Sequence, residues 1–474
     1  MHPVETQRAA QTNATGFVRA GLALAAWAEK WFPDPVVFAL SAVVAVFVLG
    51  ICVGESPTQL AISGGKSFWA LMTFTMQMVM VIIGGYVVAS TRVVSRAIHT
   101  LARVPKTPRG AIAWVAFFSM ATAFVSWGMS LIFSGLLVRQ VARRMPGMDY
   151  RAAGAAAYLG IGTTAAMGLT SSAGMLMATK SSLPSALYSI SGLIPLTQTI
   201  FLWQSLATVL AMVVAGVLVA YLSAPSAEHA KTVDQYNLAL DDDTLPEIET
   251  RSKRPGEYLE RSPLLTILVA AIVIFYLIDE FRTSPRGPLA ALDLNTYNLI
   301  FLTLGLLLHW RPRNFMRAVT ECIPATAGVV IQFPLCAMIL GMITGTGLSA
   351  KAANLFVSVS SHQTFAVLIA AYSAVLGMFI PSAGSKWIVE APYVLQAAMA
   401  HQVHLGWVVQ IYNAAEGLPN LINPFWMLPL IGILRLRARD LVGYGMLQLS
   451  VLVPVVFLLC WLFSQQLLFI APVK

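Results

Sequence analysis

Apolar residues run in long blocks along this chain, and the charged residues cluster in the short gaps between them. Uncharged stretches span Val36–Gly54, Ser67–Thr91, Gly110–Val138 and Leu441–Val473. Each is as long as the roughly 20 apolar residues needed to cross hydrocarbon. Backbone polar groups must pair with one another in that solvent, so the blocks predict helices. Spans are expected at about 36–53, 68–90, 152–179, 195–222, 263–279, 295–309, 325–345, 407–431 and 443–470. Two further blocks, 110–138 and 363–399, have a different pattern. The first is 29 uncharged residues, ~43 Å as one helix against ~30 Å of hydrocarbon, and SWGMS interrupts it at 126–130. The second is interrupted by PSAGS at 381–385. Proline removes a helix donor and glycine weakens a helix, so both blocks are read as re-entrant hairpins.

Each hairpin precedes a polar, interrupted span. YLGIGTTAAMGLTSSAG (158–174) follows the first, and YNAAEGLPNLINPFW (412–426), with Pro419 and Pro424, follows the second. The order of span, span, hairpin, broken span, span therefore occurs twice. The extra span at 263–279 places the two halves in opposite orientations, which is the inverted-repeat pattern of secondary transporters. The expected fold is an all-α polytopic membrane protein with two re-entrant hairpins and two broken helices. It divides into an N-terminal segment 1–35, a first repeat 36–222, a linker 223–262, a connecting helix 263–279 and a second repeat 280–474. The N-terminal segment reads as an amphipathic surface helix in preference to a signal peptide, because Glu29-Lys30-Trp31 leads straight into Pro33-Asp34-Pro35 and the first span.

Composition and charge support this picture. Hydrophobic residues make up 57% of the 474 and charged residues 11%, against about 25% in soluble domains. The net charge of +9 does not form a nucleic-acid patch. With the N-terminus inside, 23 of the 30 Lys and Arg fall in cytoplasmic segments, for example Arg92–Arg109, Arg139–Arg151 and Arg435–Arg439. That is the positive-inside asymmetry. Full double crossings in place of hairpins would give the same parity. Cys52, Cys322, Cys336 and Cys460 lack metal or CxxC spacing, so they imply neither a disulfide nor zinc. His362, His401 and His404 near the outer ends of the second hairpin read as solvated loop histidines, with a pH sensor or metal site as the alternative. No P-loop, HExxH or GxSxG occurs, which argues against ATP-driven transport and against a membrane-embedded enzyme.

The candidate site lies at the two interruptions. Ionisable groups inside spans cost about 2.5–3.5 kcal/mol each, so those present call for a role. Lys386 is read either as counter-ion to a carboxylate substrate or as the i,i+4 partner of Glu390. Ser382, Gly384, Ser385 and Trp387 accompany it at the second tip, where the N–H groups opening a half-helix offer an anion site. Ser126, Trp127 and Gly128 form the matching first tip. For both tips the alternative is a structural kink. Glu416 is read as a proton carrier or sodium ligand, with Asn420 and Asn423 supplying oxygens, or else as a partner of Lys386. Ser171 and Ser172 are weaker candidates, since hydroxyl residues also pack membrane helices. No cofactor is expected beyond a coupling ion, H+ or Na+.

Several stretches together resemble the short-chain fatty acid transporter family, of the acetoacetate/butyrate permease type within the ion-transporter superfamily. They are KWFPDPVVFAL (30–40), VSWGMSLIFSGLLVRQVARRMPGMDY (125–150), LGLLLHWRP (304–312), AGVVIQFPLCAMI (327–339), FIPSAGSKWIVEAPYVLQAA (379–398) and NPFWMLPLIGI (423–433). The resemblance runs from about residue 25 to the C-terminus. It implies uptake of short monocarboxylates such as acetoacetate or butyrate across the bacterial inner membrane, coupled to H+ or Na+. A carrier or exchanger for another small organic anion is the alternative, and homodimeric assembly stays open. The sequence departs from the family pattern at the second hairpin, where P-S-G-G-G-H-W becomes Pro381-Ser382-Ala383-Gly384-Ser385-Lys386-Trp387. Ser126 replaces the Asn before the first Trp-Gly. The W-G-G-G run of the first broken span becomes Thr164-Ala165-Ala166-Met167-Gly168. In the second, Gly-Glu-Gln-Trp is replaced around Ala415-Glu416-Gly417-Leu418. Fold and transport carry over through these changes; substrate identity and coupling ion do not carry over with them.

Overall fold

The structure is a computed structural model that describes residues 35–225, 230–236, 255–284, 288–379 and 383–472. The expected amphipathic segment, most of the 223–262 linker and Ser382 lie outside the described residues. All regular structure among the described residues is helical. Among the described residues, five single helices are long and apolar enough to cross a bilayer: Met72–Ala89, Pro108–Val125, Trp203–Leu222, Leu264–Thr283 and Ala438–Ser464. The near-continuous rod Pro312–Thr344 makes a sixth. Leu405–Leu421 and Trp426–Leu434, bent by 45° at their junction, pass the same test as a pair. The expected span at 152–179 is not one rod. It is divided into Tyr150–Tyr158, Thr164–Met167 and Ser172–Ala178. Outward faces are apolar: Phe275 is 77% exposed and Leu222 68%. Continuous apolar surface of this kind belongs against hydrocarbon rather than water.

The first hairpin reverses where the sequence is interrupted. Pro108–Val125 starts at Thr107, whose hydroxyl accepts from Gly110 N at 3.1 Å. It ends at Ser126, which is extended at φ −155° and ψ 117°. The same Ser126 opens Trp127–Arg144, its hydroxyl accepting from Met129 N at 3.4 Å, so one residue turns the chain. The arms then pack antiparallel. Ser130 donates to Ser119 O at 2.8 Å, and the Phe118 and Phe133 rings lie 6.2 Å apart. Arg143 and Arg144 close the second arm at the negative end of the helix dipole.

In the second hairpin, Phe365–Phe379 and Ala383–Ala400 flank residues 380–382. Three contacts straddle that point almost symmetrically. A Cβ on Gly377 would stand 3.1 Å from Lys386 Nζ. Ser373 Oγ donates to Glu390 Oε2 at 2.8 Å, and the Tyr372 and Tyr393 hydroxyls are 2.8 Å apart. Pairings of this order require antiparallel arms.

The first broken span packs backbone-to-backbone on the first hairpin, and glycine permits it. A Cβ on Gly160 would strike Ser119 O, and one on Gly168 would strike Phe124 O. Polar groups released by the break find partners there. Leu169 N donates to Phe124 O at 2.8 Å, Thr164 Oγ1 to Met120 O at 2.6 Å, and Ser119 Oγ to Ala157 O at 2.6 Å.

The two broken spans cross at their breaks. Tyr158 donates to Asn423 O at 3.4 Å, Gly162 lies against Leu421, and a Cβ on Gly417 would stand 3.5 Å from Ala166 Cβ. The part of the linker that is described is tied down by Tyr150 N, which donates to Lys231 O at 2.8 Å, and by Tyr236 Oη, which donates to Asp440 Oδ1 at 3.2 Å. Outside the apolar layer, Lys351 Nζ sits 2.8 Å from Glu55 Oε1 and holds that carboxyl below the usual carboxylate range.

Candidate functional site

Three charged side chains meet beside the second hairpin. Lys386, 1% exposed, is carried one turn into the Ala383–Ala400 helix. Its Nζ donates to Ser373 O at 2.8 Å and lies 3.9 Å from Glu416 Oε1 and 5.2 Å from the Tyr412 ring centroid. Glu390, one helical turn beyond Lys386, is not its ion-pair partner. The two are joined through Ser373, which accepts from the lysine at its carbonyl and donates to Glu390 from its hydroxyl. Of the two pairings open from the sequence, the structure forms the one with Glu416. Glu390 Oε1 and Glu416 Oε2 are buried without hydrogen-bond partners. An ammonium taken out of water needs this density of oxygens around it.

Aromatic residues fix the lysine. Trp387 is fully buried, with its ring 4.7 Å from that of Tyr412. Tyr412 Oη donates to Ala383 O at 2.5 Å, which moors the start of the second arm to the Leu405–Gly417 helix. The Ser385 hydroxyl bonds the Cys336 thiol. Phenylalanine at 412 removes the mooring while keeping the ring under Lys386. A neutral hydrogen bond is worth about 1 kcal/mol. Tyr412→Phe is therefore expected to lower uptake about five-fold with unchanged membrane expression, as checked by initial rates in proteoliposomes.

The two tips are joined by residues 170–172. Thr170 Oγ1 accepts from Trp127 N at 3.2 Å at the first tip. At the second, a Cβ on Gly384 would stand 3.1 Å from Ser172 Cβ and 2.9 Å from Phe333 Cζ. Ser171 is used locally: its hydroxyl accepts from Gly174 N at 3.1 Å and opens the Ser172–Ala178 helix. Trp127 meets Trp426 edge-on at 5.7 Å, next to Asn423. Ser126 is buried against Gly85, where a Cβ would stand 2.7 Å from its hydroxyl, and Gly128 follows in the same turn. Asn420 is 7% exposed, and its Oδ1 has no partner. Lys386, Trp387 and Glu416 therefore form one cluster. Ser172 and Gly384 touch beside it, and Ser126, Trp127, Gly128, Asn420 and Asn423 belong to the adjoining first tip and span crossing.

A cavity of about 640 Å³ opens from the charged cluster. Lys386, Ser385 and Glu390 stand at its polar end. Ala42, Val46, Ile339, Ala352, Phe356 and Leu376 are among the side chains of its apolar wall. The sequence pattern offers Glu390 only as a pairing partner of Lys386, and it marks neither Ser373 nor Tyr412 as a site residue. The available signals were spacing, since Lys386–Glu390 and Tyr412–Glu416 are both i,i+4, and Ser373 as an isolated polar residue in an apolar arm. The histidines of the outer loop are engaged locally. His362 Nδ1 is 2.8 Å from His401 O, and His404 Nδ1 accepts from Trp407 N at 3.0 Å.

Comparison with known proteins decides the identity of this arrangement. The profile of the family described as "Short chain fatty acid transporter" matches residues 17–464. The chain belongs to the short-chain fatty acid transporter family. Two relatives carry the name "Putative short-chain fatty acid transporter". The one from Escherichia coli strain K12 is 33% identical over 417 residues, 88% of this chain and 93% of the relative. The one from Haemophilus influenzae is 30% identical over 436 residues, 90% and 95% respectively. Among solved structures, the YdaH transporter of Alcanivorax borkumensis aligns over 92% of this chain and 99% of its own, with TM-score 0.63 at 14% identity. MtrF of Neisseria gonorrhoeae, titled within a class of antimetabolite efflux pumps, aligns over 96% and 99%, with TM-score 0.57 at 13% identity. At these identities the structural likeness establishes the fold. The family transporter is thus an all-helical membrane protein and not an enzyme.

Proposed function

We propose that this family transporter takes up short monocarboxylates of the acetoacetate and butyrate type across the bacterial inner membrane, driven by an H+ or Na+ gradient. One observation carries the reading: a buried ammonium, Lys386, stands at the polar end of an apolar cavity with a carboxylate, Glu416, as a loosely held partner at 3.9 Å. A substrate carboxylate replaces Glu416 at the lysine, and its short alkyl chain enters the apolar part of the cavity. The amide groups opening the Ala383–Ala400 helix add positive potential on the same side. The repeated order of hairpin and broken span supports an inverted repeat, with hairpins and broken spans moving against the remaining helices. The cytoplasmic N-terminus follows from the charge asymmetry.

Counterflow in proteoliposomes tests this. Unlabelled butyrate or acetoacetate inside is expected to accelerate entry of labelled butyrate at least tenfold over protein-free liposomes. External succinate is expected to compete poorly, because a second carboxylate would enter the apolar wall. Stronger competition by dicarboxylates or amino acids would transfer the site to another organic anion.

A further inference from the structure

The buried cluster holds an unbalanced charge. Glu390 and Glu416 face a single ammonium, and all three side chains are 2% exposed or less. Among the described residues, Lys351 on the adjoining Leu348–Val359 helix is exposed and paired with Glu55 at 2.8 Å, so it gives the cluster no second cation. Phe365–Phe379 presents Ser373 and Tyr372, and the Ala383–Ala400 helix adds Tyr393. Leu405–Gly417 presents Tyr412, and Ala327–Thr344 presents Cys336. The walls given by Pro35–Cys52 and Leu348–Val359 are apolar. Ser172–Ala178 and Ser185–Ser191, also packed on this arm, contribute no acid or base beyond Tyr188. With every group ionised the cluster carries one excess negative charge, which a site shielded from water does not sustain. Glu390 Oε1, buried without a partner and lining the cavity, and Glu416 Oε2 are the two free oxygens available to hold a proton.

We infer that Glu390 and Glu416 form a two-carboxylate proton carrier around Lys386, so that binding one substrate monoanion takes up one proton and transport is electroneutral. This rests on the reading of Lys386 as the substrate's counter-ion. In the empty site one proton is shared by the two carboxylates, and the ammonium neutralises the other. A carboxylate substrate then takes the ammonium from Glu416 and adds one negative charge. A second proton, drawn from the side on which the substrate enters, neutralises the released carboxylate. Both leave on the opposite side. The proton belongs to the pair rather than to either residue. Each single neutral variant therefore still has one carboxylate to protonate on loading, and only the double variant has none.

The test uses purified transporter in detergent at pH 7, weakly buffered, with a pH dye reporting protons and calorimetry reporting bound butyrate. The wild type is expected to take up about one proton per butyrate, and its affinity to fall about tenfold per pH unit as pH rises. Glu390→Gln and Glu416→Gln are each expected to keep about one proton per butyrate. The double variant is expected to bind butyrate with none, and with an affinity flat in pH. Proton uptake in the double variant, or sodium-dependent binding without proton uptake in the wild type, would overturn the inference. In the wild type, butyrate binding without proton uptake overturns this inference alone, whereas no butyrate binding at all removes the carrier reading with it. Should the double variant fail to fold, the wild type in proteoliposomes still decides. Butyrate entry over protein-free controls is expected to be unchanged by a potassium-diffusion potential, and dependence on that potential would refute electroneutrality.

Discussion

Lys386→Ala is expected to reduce butyrate affinity by at least a hundredfold. Removing one partner of a buried charge pair costs about 3–5 kcal/mol, and each 1.4 kcal/mol is a factor of ten. The lysine holds Ser373 O, approaches Glu416 and lies over Tyr412, so alanine removes all three contacts together. It also leaves Glu390 and Glu416 without a cation, which lowers stability at neutral pH. These two losses separate cleanly. In a Glu390→Gln/Glu416→Gln background no carboxylate is left uncompensated, so Lys386→Ala is expected to recover thermal stability there while butyrate binding stays absent. Binding measured by calorimetry and melting measured on the same preparation check both parts. Unchanged butyrate affinity in Lys386→Ala would remove the lysine from the substrate site.

The sequence made the scaffold legible because bilayer length is a strong constraint. Helix bounds such as Pro35–Cys52 and Leu264–Thr283 fall within a few residues of the uncharged blocks. The first interruption was also legible, since Ser126 ends one helix and opens the next. The partner of Lys386 was not. An i,i+4 spacing favours Glu390 within one helix, but Ser373 from the opposite arm occupies the space between them. Glu416 arrives from a helix that follows the second hairpin in sequence. Only the packing of three helices decides between these partners. The cavity was equally hidden. Its wall combines Pro35–Cys52 with residues about 300 positions later, and apolar side chains facing a cavity read the same as those facing lipid. The departures from the family pattern gain a location from this. Lysine, where the resemblance has histidine, falls on the buried ammonium itself.

Joining the two elements that meet at the second tip is expected to stop transport altogether. Gly384 opens the second arm, and a Cβ on it would stand 3.1 Å from Ser172 Cβ. Disulfides need Cβ atoms about 3.5–4.5 Å apart, so an outward shift of a few tenths of an ångström suffices for Ser172→Cys/Gly384→Cys to bridge. Phe333 Cζ, 2.9 Å from the same position, is the end of a side chain and gives way with it. The pair is placed in a background in which Cys52, Cys322, Cys336 and Cys460 are replaced by alanine. Mild oxidation is expected to cross-link the protein and lower butyrate counterflow more than tenfold, and a reductant is expected to restore it. The reason is mechanical. Ser172 lies on the first broken span and Gly384 on the second hairpin, and alternating access requires such elements to change their distance. A bridge that forms and leaves counterflow intact would show that they travel as one body, and would place the moving boundary elsewhere in the fold. No bridge, with each single cysteine reactive, would mean that the close approach of Gly384 to Ser172 is not the resting arrangement.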